Sequence, residues 1–361
     1  IFYHSKKVGT LIYKDYFSSF QYDREWLNNG FSISPLSLPL SDKIYTPKDL
    51  TFSGLFGIFN DSLPDGWGNL LVERMLLKES KNPNLLNCLD RLAIVGTKGM
   101  GALEYYPHNS LSIKTDEVPN LDELKKQCSL ILEDKTTDNL DYLFRNGGSS
   151  GGARPKIFRT YKNEEWIIKF PSSSDIKEIG LQEYLYSKCA KKCGIQIPNI
   201  KLFESTQCPG YFGIQRFDRN KENKIHMASV SALLETSHKF PNLDYSNLLK
   251  LTFILTKDVS QVNQMFKLMC FNVFSHNRDD HSKNFTFIYD GNWKLSPAYD
   301  LTHSNSLNGE QATTINGNGI NPTIKDIIEC GTKFGLKNSY CREIAENIKD
   351  LVQTDLAIFL K

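Results

Sequence analysis

The stretch that best indicates the fold of this chain is Asn277-Arg278-Asp279-Asp280-His281-Ser282-Lys283-Asn284. This stretch is polar throughout, yet it lies between the largely apolar segments 271–274 and 285–289. A polar turn between two helices is the simplest interpretation, but buried flanks on both sides would hold such a turn against the core. Asp279 and Asn284, five residues apart, are therefore candidate functional side chains in a fixed loop.

This pair has the D-x-x-x-x-N spacing of a kinase catalytic loop. In such a loop the aspartate accepts the proton of the substrate hydroxyl, and the asparagine oxygen binds Mg²⁺. Asp300 follows Asn284 by sixteen residues, roughly where a kinase has its second metal-binding aspartate. For a single aspartate, an N-cap or turn role is the commoner alternative.

Two further features precede this loop in the order that phosphoryl transfer from ATP requires. The glycine-rich loop 147–152 would let backbone N–H groups approach phosphates, although alone it also fits a flexible surface loop. Lys169 lies near the end of the strand-like run 166–170, and Glu183 follows fourteen residues later in a predicted helix. The lysine ammonium would bind phosphate, and the glutamate would balance the charge of the lysine. The alternative is a surface lysine, which is the usual role of a lone lysine. Four such features in this order predict a phosphotransferase.

These residues make the chain similar to the HipA family of bacterial serine/threonine kinase toxins, whose fold is related to that of protein kinases. The resemblance covers most of the chain, and its motifs occur in a set order. They are Leu63-Pro64-Asp65-Gly66-Trp67-Gly68, Gly101-Ala102-Leu103, the loop 147–156, Ile168-Lys169-Phe170, Arg216-Phe217-Asp218-Arg219, the stretch 277–285 and Ser296-Pro297-Ala298-Tyr299-Asp300-Leu301.

The resemblance implies a role for each matching residue. Asp279 would be the catalytic base, and Mg²⁺ would be held by Asn284 and Asp300. ATP would be contacted by Gly151, Gly152, Ala153, Lys169, Gln215, Phe217 and Asp218, the last of these near the ribose. Structural support would come from Glu183, His281 and Lys283. The serine that family members autophosphorylate, which ejects the loop and stops the kinase, would be Ser149 or the adjacent Ser150.

The implied fold is α+β, bilobal and protein-kinase-like, with a β-rich N-terminal cap and a mainly helical C-terminal lobe. Hydrophobic patterning suggests the same order: a β-rich unit over 1–107, an α/β lobe over 120–218 and a helical lobe over 219–361, with a polar linker at 107–119. Helices are predicted at 69–78, 121–132 and 179–193. Strands are predicted at 7–13, 17–20, 157–159, 166–170, 197–203 and 211–216.

Composition limits the function classes. The 43 basic and 41 acidic side chains give a net charge of +2, which argues against a surface built throughout for nucleic acid. The apolar stretch 265–274 is interrupted by Lys267 and Asn272 and cannot span a bilayer. Eight cysteines without a C-x-x-C pair favour reduced, buried thiols over a disulfide scaffold or metal site. The chain starts at Ile1, which predicts that its natural start lies upstream.

The leading hypothesis is a Mg-ATP-dependent serine/threonine protein kinase acting as a toxin. By resemblance, its substrate would be an aminoacyl-tRNA synthetase and its partner a HipB-like helix-turn-helix antitoxin, through which DNA would be contacted indirectly. A cytoplasmic bacterial protein is expected, with delivery into another cell left open. One alternative is a catalytically silent member acting as an antitoxin-bound co-repressor or interaction module. Another is a small-molecule or lipid kinase on the same scaffold.

Overall fold

A computed structural model of the chain describes residues 1–109, 111, 118–221, 223–305 and 309–360. The chain divides into two units. The first contains 1–180 and 203–237, and the second contains 181–202 and 238–361. Most of the predicted linker at 107–119 lies outside the described residues. No described helix combines the length and the low charge needed to cross a bilayer.

The strands are short and are numbered here in chain order. They are β1 (Phe2–Tyr3), β2 (Lys6–Lys7), β3 (Gly9–Lys14), β4 (Phe17–Tyr22), β5 (Ile44–Tyr45), β6 (Leu103–Glu104), β7 (Lys156–Tyr161), β8 (Glu164–Lys169), β9 (Ile200–Phe203), β10 (Tyr211–Gln215), β11 (Arg219–Asn220), β12 (Asn223–Lys224), β13 (His226–Ser229), β14 (Leu243–Asp244), β15 (Thr286–Tyr289), β16 (Trp293–Leu295) and β17 (Thr313–Thr314).

The helices are also numbered in chain order. They are α1 (Arg24–Asn29), α2 (Gly57–Asn60), α3 (Gly66–Lys78), α4 (Cys88–Val95), α5 (Leu121–Leu132), α6 (Leu140–Gly147), α7 (Ile179–Lys192), α8 (Val230–Leu233), α9 (Tyr245–Thr256), α10 (Val259–Phe274), α11 (Ile324–Phe334) and α12 (Asn338–Asp355). Short 3₁₀ turns lie at Pro83–Leu85 and Ser282–Asn284.

The N-terminal hairpin of β3 and β4 confirms the predicted strand pair. Gly9 pairs with Tyr22 and Lys14 with Phe17, so only two residues form the turn. Those residues, Asp15 and Tyr16, have positive φ values of 50° and 69°. Two such residues give the turn the twist that matches the two strands.

A four-stranded sheet in the order β7-β8-β10-β9 forms the centre of the first unit. Trp166 and Ile168 on β8 are buried at alternate positions and pack in one cluster with residues of α3, α5 and α6. Because side chains alternate between the faces of a strand, Lys169 lies on the face opposite to Ile168. The pairing of β7 with β8 places Lys156 directly across from Lys169.

In the second unit α9, α10, α11 and α12 pack against one another. Apolar residues line most sides of α10, including the fully buried Met265, Phe266 and Met269, because this helix has neighbours on several faces. The hairpin of β15 and β16 follows the polar stretch 277–284. This polar stretch therefore connects a buried helix to a strand, as its flanks predicted.

Candidate functional site

The glycine-rich loop is held closed by the segment 63–68. The amide N–H of Gly152 donates to a carboxylate oxygen of Asp65, and the amide N–H of Trp67 donates to the Gly152 carbonyl at 3.0 Å. On the other side of the loop, the Lys156 ammonium donates to the Gly151 carbonyl. Asp65 precedes α3 without capping it by its side chain, because its carboxylate binds the loop instead.

Two glycines of the segment 63–68 are required by this close approach. Gly66 has φ of +40°, and a Cβ atom there would lie 2.6 Å from the Gly152 carbonyl oxygen. A Cβ atom on Gly68 would lie 2.3 Å from the Ser150 carbonyl oxygen. Both distances are shorter than any normal contact, so only glycine lets the two backbones meet. The sequence motif is thus a docking surface for the loop, a role that sequence reasoning did not find.

The two adjacent loop serines differ in accessibility. Ser149 is half-buried, and its hydroxyl donates to the Lys98 carbonyl at 2.7 Å. Ser150 is only 1% exposed, and its hydroxyl donates to the Gly147 carbonyl at 2.6 Å. Gly151, Gly152 and Ala153 are exposed. Ser149 is therefore the more accessible of the two serines, and the predicted phosphorylation of either one stays a prediction.

Lys156 and Lys169 bring two positive charges to the start of the sheet. They face each other in the register of β7 and β8, and the Lys169 ammonium lies 5.6 Å from the centre of the Phe212 ring. Two lysines at paired strand positions raise the local positive charge, which suits an anionic ligand. Lys156 was not assigned a role from sequence, although it ends the glycine-rich motif. Glu183 is buried on α7, and its proposed pairing with Lys169 stays a prediction.

Residues 215–219 start at Gln215, the last residue of β10. The Gln215 side-chain amide donates to Glu164 at 2.9 Å, and Phe217 is half-buried. Asp218 is fully buried, and its carboxylate accepts four hydrogen bonds of 2.7–2.9 Å. The donors are Arg216, which supplies two of these bonds, Arg219 and the backbone N–H of Gly101.

Burial alone would raise the pKa of Asp218. The charges of Arg216 and Arg219 and the Gly101 hydrogen bond outweigh that effect and hold this pKa below its ordinary value. The two motifs at 101–103 and 216–219 are therefore parts of one buried ion cluster. Asp218 thus has a structural role in this cluster, and the ribose contact that the resemblance implies stays a prediction.

In the second unit, the loop 277–284 exposes Asp279 on a fixed backbone. The Asn284 side-chain amide donates to the Asp279 carbonyl at 2.6 Å, which leaves the Asp279 carboxylate outside that bond. The carboxylate is 65% exposed and lies 3.9 Å from Nε2 of His281. His281 accepts a bond from the Lys283 N–H through Nδ1, so its neutral ring carries the proton on Nε2, toward Asp279.

The neighbouring residue Asp280 holds this loop in place through buried hydrogen bonds. It is 1% exposed and accepts hydrogen bonds from the Tyr245 hydroxyl at 2.7 Å, the Thr313 N–H at 3.1 Å and the Gln311 amide at 3.1 Å. Burial raises the pKa of Asp280 to about 7, against the opposing effect of these hydrogen bonds. The two successive aspartates thus differ in environment, because Asp279 is exposed and Asp280 is buried.

The raised pKa of Asp280 predicts a pH dependence of stability. Between its ordinary value of 3.8 and about 7, the folded chain binds this proton more tightly than the unfolded chain. The stability that protonated Asp280 contributes is therefore complete below pH 3.8 and is lost as the pH rises through 7. Over this range the free energy of unfolding falls by at most about 1.4 kcal/mol per pH unit. Urea unfolding of the wild type and Asp280→Asn across pH 5–8 measures it: the wild type should lose stability relative to the variant as pH rises. Parallel curves would contradict the prediction.

Asp300 lies in a left-handed backbone conformation, with φ of +53°, that aspartate tolerates better than most residues. The preceding residue, Tyr299, donates its hydroxyl to the Lys283 carbonyl at 2.6 Å and shares a second 2.6 Å hydrogen bond with Thr286. Tyr299 thus fastens the segment containing Asp300 to the loop that contains Asn284.

The donor set of these residues fits Mg²⁺. Because the Asn284 amide nitrogen donates to the Asp279 carbonyl, the side-chain oxygen is the atom that Asn284 would offer to a metal, and Asp300 would add a carboxylate. Mg²⁺ in phosphoryl-transfer sites takes one or two carboxylate or amide ligands from the protein and the rest from phosphates and water. Within the described parts of the chain, no group of three or more His, Cys, Asp or Glu side chains could hold a metal alone.

Comparison with a solved structure defines the class of protein. The chain superposes on a structure from Shewanella oneidensis MR-1 described as the toxin–antitoxin system HipA, HipB and its operator DNA complex. The TM-score is 0.72 at 18% identity, over 97% of this chain and 88% of the other. The chain thus has the predicted α+β fold of the HipA structure. A second structure, the Helicobacter pylori proinflammatory kinase CtkA, gives a TM-score of 0.37 at 12% identity over 55% of this chain and 90% of that one, and nothing is inferred from it.

Family models identify the chain more narrowly. The HipA N-terminal domain matches residues 1–106, and the HipA-like C-terminal domain matches residues 148–356. The chain belongs to the HipA family. A protein of Haemophilus influenzae named "Putative kinase" is 25% identical over 182 residues, which are 44% of this chain. The match spans about half, 53%, of that relative's length.

Proposed function

We propose that this chain is a Mg-ATP-dependent serine/threonine protein kinase of the HipA type. The observation that carries the proposal is the loop 277–284, in which the exposed carboxylate of Asp279 stands on a backbone fixed by Asn284 and the buried Asp280. A general base must be accessible to its substrate yet held in place. An ordinary polar turn between helices needs neither the buried carboxylate nor its three donors.

The chain's own residues then have defined tasks. Asp279 accepts the proton of a serine or threonine hydroxyl while that oxygen bonds to the γ-phosphorus, and the bond from the γ-phosphorus to the β–γ bridging oxygen breaks as ADP leaves. Asn284 and Asp300 would hold Mg²⁺, which when bound would neutralise phosphate charge. Lys169 and Lys156 would bind phosphate oxygens, and the exposed backbone of 151–153 would supply further donors.

The remaining nucleotide contacts are proposed for the segment after β10. The backbone at Gln215 and Phe217 would bind the adenine. Asp218 would act on the same segment indirectly, because its ion cluster fixes the backbone that follows β10.

The substrate and the partner are proposed from family membership. The S. oneidensis relative was solved together with HipB and operator DNA, which supports a HipB-like helix-turn-helix antitoxin as the partner of this chain. A net charge of only +2 fits indirect contact with DNA through that partner. An aminoacyl-tRNA synthetase is the proposed protein substrate.

Phosphate transfer to protein tests the proposed function. The phosphatase-treated chain is incubated with Mg-ATP labelled at the γ-phosphate and with each purified aminoacyl-tRNA synthetase, and label is followed on both proteins. Label on a synthetase or on the chain itself, absent with Asp279→Asn, is the expected result. Retained ATP binding without any labelled protein would replace this proposal with the silent, antitoxin-bound one, and label on a small molecule or lipid alone would indicate the other kinase class.

Autophosphorylation is expected at Ser149 and not at Ser150. Ser149 is accessible, whereas the Ser150 hydroxyl is buried in a bond to Gly147. Ser149→Ala should therefore lose at least about nine-tenths of the phosphate that the loop takes up, and Ser150→Ala, the matched control, should keep it. A phosphate adds about −1.5 to −2 charge next to the sites for ATP phosphates, so it should also slow turnover. Peptide mapping of residues 145–160 measures this, and phosphate on Ser150 would contradict the assignment.

A further inference from the structure

A basic cavity of about 830 Å³ lies in the first unit, apart from the residues assigned to ATP. Its walls come from the turn after α4, from α6, from β7 and from Glu165 on β8, and three further side chains, Arg216, Arg219 and Lys224, complete the lining. Six lysine or arginine side chains line it against one acidic side chain, Glu165. A volume of this order is typical of pockets for small ligands of nucleotide size and far exceeds what one phosphate ion fills.

Three of the six cations already have partners. Arg216 and Arg219 are paired with Asp218, and Lys224 is paired with Glu104 and the Thr97 carbonyl. Arg216 and Arg219 share the single negative charge of Asp218, so the charges of these three cations are partly balanced within the protein.

The other three cations have no carboxylate partner among the described residues. They are Lys98 on the turn after α4, Arg145 on α6 and Arg159 on β7. Partial burial, and then repulsion from Arg145, lowers the pKa of Lys98, so these two charges lie close enough to destabilise each other. Like charges gathered on different walls of one cavity are stabilised by an anion with several negative groups.

From this arrangement we infer that the cavity is a binding site for a ligand that carries two or more phosphate groups. Lys98, Arg145 and Arg159 would each bind phosphate oxygens, with Asn146 and Thr160 as neighbouring polar groups. The ligand is supplied from solution, because the volume and the spread of charges exceed what a single phosphate on the nearby Ser149 could use.

Occupancy of the cavity would also act on the glycine-rich loop. Ser149 lines the cavity, and its hydroxyl is bonded to the Lys98 carbonyl. A polyphosphate bound to the Lys98 side chain would fix the turn after α4 and, through the Ser149 hydrogen bond, the position of the glycine-rich loop. The position of that loop would then depend on the concentration of a phosphorylated metabolite. Binding itself does not require that the chain transfer phosphate.

Calorimetric titration with inorganic tripolyphosphate tests the inference. All proteins carry Ser149→Ala, which excludes a covalent phosphate as the occupant. Lys98→Gln/Arg145→Gln/Arg159→Gln should weaken binding at least about 100-fold, since each charge-assisted contact contributes about 10-fold. The matched control Lys6→Gln/Arg24→Gln/Lys126→Gln removes the same charge from exposed positions outside the cavity and should bind as the parent does.

Further variants distinguish binding in this cavity from binding at the proposed site for the ATP phosphates, and a loss of binding from a loss of folding. All titrations are made with Lys169→Met also present, which weakens binding at the proposed site for the ATP phosphates, and tripolyphosphate should still bind to the unaltered cavity in this background. Arg145→Gln alone, at an exposed position, should lose about 10-fold with its thermal unfolding unaltered. Binding that is lost with Lys169→Met, retained by the triple cavity variant, or weakened equally by the control variant would overturn the inference.

Discussion

Replacement of Asp279 by asparagine is expected to lower phosphoryl transfer by about 10²–10⁴-fold, the usual contribution of a general base. Asparagine keeps the shape of the side chain and the backbone bond to Asn284, and loses only the group that accepts the proton. The Asp279 carboxylate is 65% exposed, so thermal unfolding should not change. Initial rates of label transfer at saturating Mg-ATP measure the effect.

A second aspartate in the same unit provides the control. Asp290 is exposed and lies 2.9 Å from Lys294. Asp290→Asn removes the same charge and should keep the wild-type rate. An Asp279→Asn protein that transfers phosphate as fast as the wild type would exclude Asp279 as the base.

The largest effect on stability is expected for Asp218→Asn. This change removes the fully buried carboxylate that Arg216 and Arg219 share and leaves both cations without their ion-pair partner. Breaking a buried pair in this way costs about 3–5 kcal/mol in free energy of unfolding. Urea unfolding followed by tryptophan fluorescence measures the loss, because Trp67 and Trp166 are buried in this unit.

An exposed ion pair in the same unit is the matched control. Asp134 pairs with Arg74, but its side chain is 89% exposed, so Asp134→Asn should change stability by less than about 1 kcal/mol. The experiment also separates the two roles considered for Asp218. If Asp218 instead binds the ribose, Asp218→Asn will keep its stability and lose ATP affinity.

Periodicity and local polarity predicted the elements that carry these residues. The helix 121–132 is confirmed residue for residue, and the helix predicted at 179–193 ends one residue earlier in the structure. The strand pair around Lys169 is slightly longer than predicted. Short-range signals suffice for such elements, because side-chain spacing along one helix or strand determines which face is buried.

Features that join distant segments could not be predicted from spacing. Gly66 and Gly152 are 86 residues apart, and nothing in either local sequence indicates that the Gly152 carbonyl would touch the Gly66 backbone. The helix predicted to start at residue 69 starts at Gly66 for the same reason, since the closed loop fixes the turn before it. Asp218 was assigned to nucleotide from its motif, but its burial depends on Gly101, which lies 117 residues earlier.

The basic cavity could not be predicted from the composition, because its side chains come from separate segments of the sequence. The net charge of +2 is an average over the chain, whereas Lys98, Arg145 and Arg159 come from three separate elements that only the fold brings together. A balanced total is compatible with strong local fields.

The intact mass of the chain after incubation with Mg-ATP tests the central claim most directly. The protein is first treated with phosphatase, and Asp279→Asn is measured alongside. The account predicts one added phosphate in the wild type, mapped to Ser149, and none in the variant. An unchanged wild-type mass, from a protein that is folded and binds ATP, would contradict it, and so would equal phosphate uptake by Asp279→Asn.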